Sequence, residues 1–188
     1  WLNLCGHQIF VRDTGDSQLP VLLLIHGFPT SSWDWSGIWD ELKLRFRLVA
    51  LDMLGFGYSD KPNVSTYSIH GQADIVEALV AAKSLGEFHV LAHDYGDTVA
   101  QELLARQQEG VGAGRCLSCC FLNGGLFPET HHALLTQKLL LSPLGPLVNK
   151  LAGFKQFSAN FSSVFGQQTK PTAEELAIFW QLINEKDG

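Results

Sequence analysis

The sequence comprises 188 residues, 46% of them hydrophobic, enough to bury one sizeable core. Against 13 basic residues stand 19 acidic ones, a net charge of −6, which excludes the basic face on which nucleic-acid binding rests. No apolar run approaches the roughly 18 residues of a membrane span. The amino end carries no secretory leader pattern and begins at Trp1 rather than methionine, so the chain reads as part of a longer protein.

Taken in order, Trp1 to Leu4 and Gln8 to Arg12 read as an edge hairpin. Pro20 to Ile25, Phe46 to Leu51, Phe88 to Ala92 and Cys116 to Leu122 are short apolar runs of buried-strand type. Between them Trp33 to Leu44, Ile69 to Leu85 and Thr98 to Gln107 read as helices; in the second, Ile75, Val76, Leu79, Val80 and Ala82 recur at helical spacing. This alternation predicts an α/β fold, a mostly parallel sheet with crossover helices. After Gly125 the strand pattern stops, prolines enter, and Ala173 to Glu185 forms a further amphipathic helix opened by Pro171 and Thr172. Cys116 and Cys119 have the gap of a metal or redox pair but lie in "CLSCCFL" with no second pair following, so Cys116, Cys119 and Cys120 are expected as buried strand thiols. No metal site is expected.

The chemistry gathers at strand ends. "FHVLAHDYGDTVAQELL" runs from a strand through Asp94 into a helix, with Ala92 two residues before and Gly96 two after. Small residues at those positions fit a tight strand-turn-helix corner that projects its central side chain into a site, the logic of the nucleophile elbow. The same aspartate, or Asp97, also fits an ordinary helix cap. Two other loops weigh against the simpler reading. "LLLIHGFPTSSWDW" places His26, Gly27, Phe28 and Pro29 directly after a buried strand, where a backbone N–H can face the corner. "RLVALDMLGFGYSDKP" ends a third strand in Asp52 and continues through Gly55, Gly57 and Ser59.

With His93 and Gly96 in HDYG, these three motifs resemble the α/β-hydrolase family, in particular the aspartate-nucleophile branch of epoxide hydrolases and haloalkane dehalogenases. The resemblance implies an α/β-hydrolase core over residues 1–126 with six strands, and a helical cap over residues 127–188, with the fold's last strands lying outside this chain. It implies that Asp94 is the nucleophile and that Phe28 and Tyr95 lend backbone amides to an oxyanion hole. The remaining residues (His26, Gly27, Pro29, Asp52, Gly55, Gly57, Ser59, His93 and Gly96) shape the supporting loops. No cofactor is implied, and the partner is a small apolar or lipid-like molecule. The longer strings resemble an epoxide-hydrolase-like member assigned to the endoplasmic reticulum membrane, which implies membrane attachment through segments outside this chain.

Phe28 and Tyr95 stand where dehalogenases carry halide-binding asparagine and tryptophan, and Tyr58, Tyr67 and Tyr95 all precede the cap, where epoxide hydrolases keep tyrosine acids. In this fold the catalytic histidine follows the nucleophile and the acid. None of the seven histidines takes that place, and Asn123 and Glu129 are the nearest substitutes for the acid. The expectation is therefore a hydrolase site whose base lies outside the sequence. The alternatives are a non-catalytic hydrolase-fold protein that binds a lipid or protein, and a short form that does not fold stably.

Overall fold

The computed structural model describes residues 1–15, 18–63, 67–125, 142 and 153–187. The chain divides into two compact units, Trp1–Leu126 together with Leu182–Gly188, and Phe127–Gln181.

In the first unit, β1 (Leu2–Leu4) and β2 (His7–Ile9) pair antiparallel as a separate two-stranded sheet. The second strand of the expected hairpin is split at Phe10, because Val11–Asp13 (β3) leaves β2 and pairs antiparallel with β5 instead. The main sheet has five strands in the order β3-β5-β4-β6-β7, with β4 (Val21–Ile25), β5 (Arg47–Leu51), β6 (Glu87–His93) and β7 (Arg115–Leu122) all parallel. The expectation of a six-strand core thus becomes five strands plus a small sheet. A 3-10 turn, Ser32–Trp35, and α1 (Ser36–Leu42) connect β4 to β5. The crossover from β5 to β6 is α2 (Ile69–Ala82), and α3 (Tyr95–Glu109) joins β6 to β7.

Both faces of the central strands are covered, as a parallel sheet requires. Along β4 the side chains alternate: Leu23 and Ile25 join the core formed with Ile75, Val76, Leu79, Val99 and Leu103 of α2 and α3. Leu22 and Leu24 pack on the other face with Trp35, Leu48 and Ala50, backed by Trp39 and Leu42. Gln72 is buried on α2 and stands in for a missing strand neighbour, accepting from Leu54 N at 3.1 Å and donating to Leu54 O at 2.8 Å. At the far edge, Asp13 of β3 is held by Arg47 and Lys83 at 2.9 and 3.0 Å. Burial opposes its charge, but the hydrogen bonds from Arg47, Gly15 and Lys83 prevail and hold its pKa well below the usual range.

The cysteines differ from expectation. They do lie on or beside strands, but Cys120 is exposed and Cys116 and Cys119 are only half-buried. β7 is an edge of the described sheet, so one side and part of its faces lack neighbours. Partial burial still pushes the Cys119 thiol up to about 12 and that of Cys116 upward.

In the second unit, α4 (Phe154–Ser163) is followed by the expected helix α5 (Ala173–Asn184), whose residues from Leu182 on are grouped with the first unit. Thr172 and Glu175 cap α5 reciprocally, Glu175 N donating to Thr172 Oγ1 and Thr172 N to Glu175 Oε2. An aromatic stack of Phe157, Phe161 and Trp180 fixes α4 to α5. No strand occurs among the described residues after Asn123. The expected apolar face of Leu134 to Leu141, together with Glu129, His131 and His132, lies outside the described residues.

Replacing Gln72 with leucine should lower the unfolding free energy by about 2–4 kcal/mol in urea titration, because two buried Leu54 backbone groups lose their partners at about 1–3 kcal/mol each. Asp13 has a depressed folded pKa, so its contribution is complete above the unfolded value of about 3.9 and is lost as pH falls toward the folded value. Stability should therefore drop below about pH 4, and Asp13→Asn should flatten that part of the profile.

Candidate active site

The strand order reverses at β4. From it the chain steps outward to β5, then crosses to the opposite side for β6. In open α/β sheets ligands bind at the carboxyl ends of strands beside such a reversal. The loops after β4, β5 and β6 hold the three sequence motifs.

Asp94 is the single residue between β6 and α3, with φ 52° and ψ −116°. A non-glycine residue in that region is held against its own preference by its surroundings. The helix begins at Tyr95, three residues before the expected Thr98, because the corner takes up a single residue. Gly96 explains how the corner closes. A Cβ there would sit 2.5 Å from both the Ile25 and His26 carbonyl oxygens, so only glycine lets α3 approach β4 this closely. Asp94 N donates to Leu122 O at 3.0 Å, fastening the corner to β7 as well.

Asp94 does not cap its helix through its side chain. Its Oδ1 instead accepts from the Phe28 amide at 2.8 Å, so the first amide expected to face an oxyanion is aimed at the Asp94 carboxylate. Tyr95 follows Asp94 at the first position of α3, where backbone amides have no partner within the helix. Gly27 is required for the approach of the two loops, since a Cβ on it would lie 2.6 Å from Asp94 Cβ. The Phe28–Pro29 bond is cis, and the Phe28 ring is two-thirds exposed at the rim. Phe56 lies against Phe28, Tyr95 and His26, at ring-centroid distances of 6.1, 6.1 and 5.2 Å, so the wall beside Asp94 is aromatic. Burial raises the Tyr95 pKa, favouring its neutral phenol.

The remaining motif residues are supports. His26 is fully buried; its Nε2 accepts from Met53 N at 2.9 Å, which leaves Nδ1 as the donor to Gly27 O at 2.8 Å. It ties the ends of β4 and β5 together. Asp52 is also buried: Oδ1 accepts from Ser32 N and Oδ2 from Tyr58 N, both at 2.8 Å. Ser59 Oγ donates to Asp52 O and accepts from Phe10 N. Gly57, at φ 49°, leaves room for the Asp52 carboxylate, and Gly55, at φ 92°, for the Tyr67 ring.

Two further carboxylates lie within the motif stretches without a site role having been read for them. Asp97 is fully buried on the first turn of α3 and accepts from Leu122 N at 3.3 Å, with its other oxygen against Gly124. Burial raises its pKa, countered in part by those backbone contacts. Asp34, in the 3-10 turn, lies 3.8 Å from His93 Nδ1 and accepts from the Thr30 hydroxyl. An aspartate so close behind HGFP was visible in the sequence, but its partner lies a strand and two helices away. Among the described residues no group of three or more His, Cys, Asp or Glu could hold a metal ion, and no helix is long and apolar enough to cross a membrane.

This arrangement fits what comparison finds. A model of the alpha/beta hydrolase fold family matches residues 20–148, and the chain belongs to that family. It is similar to the mesoderm-specific transcript protein of Mus musculus, 49% identical over 193 residues that cover 97% of the chain and 57% of that protein. It is also 37% identical over 188 residues to LipZ of Mycobacterium tuberculosis, which has the word hydrolase in its name; all of the chain and 65% of LipZ are covered. The chain thus spans less than two thirds of the length of these curated relatives. In fold it resembles the epoxide hydrolase VrEH1 of Vigna radiata, with a TM-score of 0.75 at 19% identity over 100% of the chain and 67% of that structure.

Gly96→Ala should lower stability by at least about 2 kcal/mol, because the new methyl meets two backbone carbonyls that have no flexible end to yield. Chemical denaturation measures the loss. An unchanged midpoint would mean that α3 does not pack this tightly on β4.

Proposed function

We propose that Asp94 is the nucleophile of a hydrolytic site for small apolar or lipid-like electrophiles, with epoxides as the leading substrate class. The observation that supports this most is the corner itself. A carboxylate is held in an unfavourable backbone conformation, without capping its helix, and faces the amide of a neighbouring loop. Strain of this kind collects at functional sites. The aromatic wall of Phe28, Phe56 and Tyr95 favours an apolar substrate body. The word hydrolase in the name of LipZ supports a hydrolytic reading.

In the first half-reaction a carboxylate oxygen of Asp94 attacks a ring carbon of the epoxide, the carbon–oxygen bond breaks, and the alkoxide takes a proton from water. The product is a β-hydroxyalkyl ester of Asp94. In the second, water attacks the ester carbonyl, whose oxygen is the Oδ1 already held by the Phe28 amide and is stabilised by the Tyr95 amide as well; the ester carbon–oxygen bond then breaks, releasing the diol and restoring the Asp94 carboxylate. That step requires a base, and none of this chain's seven histidines is assigned to it. Residues 127–188 are proposed as a helical cap for this chemistry. Attachment to the endoplasmic reticulum membrane is proposed for the longer protein, through segments outside this chain.

The 188-residue chain should accordingly be alkylated once and should not turn over. Incubation with a reactive epoxide, followed by intact-mass and peptide analysis, should give one adduct on Asp94, with no diol beyond background and no adduct in Asp94→Asn. Repeated turnover abolished by Asp94→Asn would place a base within this chain. A folded chain giving neither adduct nor diol would favour the binding-protein reading.

A further inference from the structure

His93 stands beside the corner and is absorbed by none of the roles above. Its ring is 38% exposed, with Nδ1 3.8 Å from Asp34 Oδ2. Gly27 packs against it so closely that a Cβ there would lie 3.0 Å from Nδ1 and 2.6 Å from Asp94 Cβ. Asp34 is meanwhile bound to Thr30 through the Thr30 hydroxyl, and Thr30 N closes the turn on Gly27 O at 3.2 Å. That turn carries Phe28, whose amide meets Asp94. Besides the close packing of Gly27, the Phe28 amide on Asp94 and Asp34 beside His93 join the loop after β4 to the end of β6.

The surrounding charge is one-sided. Three carboxylates act electrostatically on the imidazole: Asp34 of the 3-10 turn, 3.8 Å from Nδ1, Asp94 at the corner and Asp97 on α3. Without a cation among them they repel one another, and Asp94, held by the Phe28 amide, is the member whose position matters to chemistry.

We propose that Asp34 and His93 form a positioning pair for Asp94, in which the imidazolium of His93 offsets the three carboxylates and, through Asp34 and Thr30, holds the Phe28 loop against the nucleophile. The pair does not touch substrate. It sets how often the carboxylate and the amide are in register for attack. The inference rests on the reading of Asp94 as a nucleophile.

Its signature is a pH dependence of known sign. The carboxylates, Asp34 first, raise the His93 pKa, against partial burial that lowers it. The clasp is therefore complete below the usual histidine value of about 6.5 and is lost as pH rises through the higher folded value. The limiting rate of Asp94 alkylation by an epoxide should fall roughly five- to tenfold over that range, the size of one partly screened charge contact. The half-saturating epoxide concentration should not change.

The test follows the alkylation rate from about pH 6 upward on the 188-residue chain, alongside the His93 imidazole titration by NMR. His93→Gln should show the low rate at every pH, and His93→Lys, which keeps a cation, the high rate across the range. Asp34→Asn retains a partner for Thr30 but not the charge, and should move both midpoints to lower pH together. Identical rate profiles in wild type, His93→Gln and Asp34→Asn would overturn the proposal. If the wild-type chain takes no adduct at all, the nucleophile reading falls. The pairing is then judged by the titration: a His93 midpoint lowered by Asp34→Asn upholds it, and an unmoved one overturns it.

Discussion

A strand can pass into a helix within one residue only if that residue adopts backbone angles that side-chain-bearing amino acids avoid. Asp94 does so, at φ 52°, and the surroundings that hold it there account for most of the site. α3 must approach β4 closely enough for Gly96 to touch the Ile25 and His26 carbonyls. β7 must accept the Asp94 amide at Leu122. The loop after β4 must bring Gly27 onto the Asp94 side chain and Phe28 N onto its carboxylate. Each requirement falls on a different element, so the corner is stable only once the five-stranded sheet has formed.

The buried polar residues behind the corner serve this end. His26 binds the ends of β4 and β5, and Asp52 gathers Ser32 and Tyr58 amides from two loops. Neither is free for chemistry, since every ring nitrogen of His26 and both carboxylate oxygens of Asp52 are engaged. Burying them without these partners would be costly, which explains why such residues sit in loops whose geometry is fixed. Asp94, in contrast, turns its Oδ1 to the amide of a neighbouring loop at the strand ends.

The parallel sheet and the corner were legible because they depend on local patterns. Apolar runs of five to eight residues (Val21–Ile25, Arg115–Leu122) separated by amphipathic helices leave little choice of fold, and a small residue two places either side of Asp94 marks a crowded turn. What escaped depends on distant neighbours. The strand after Phe10 joins β5 rather than β2, which nothing in "QIFVRD" specifies. The cysteines of β7 are apolar by type, but the strand lies at the sheet's edge, so they are half-exposed. Asp34 and His93 each had a place in a recognised motif, yet their pairing arises only when β4 and β6 lie side by side.

The central claim is that the Phe28 amide and the Asp94 carboxylate are joined before any substrate arrives. Amide hydrogen exchange, resolved residue by residue by NMR, tests this most directly, because the Phe28 side chain is exposed and its amide donates to Asp94 Oδ1. The Phe28 amide should exchange slowly in the wild-type chain and become fast in Asp94→Ala, while the amides of β4 keep their protection. A Phe28 amide that exchanges freely in the wild-type chain, or one whose protection is unaffected by Asp94→Ala, would contradict the account.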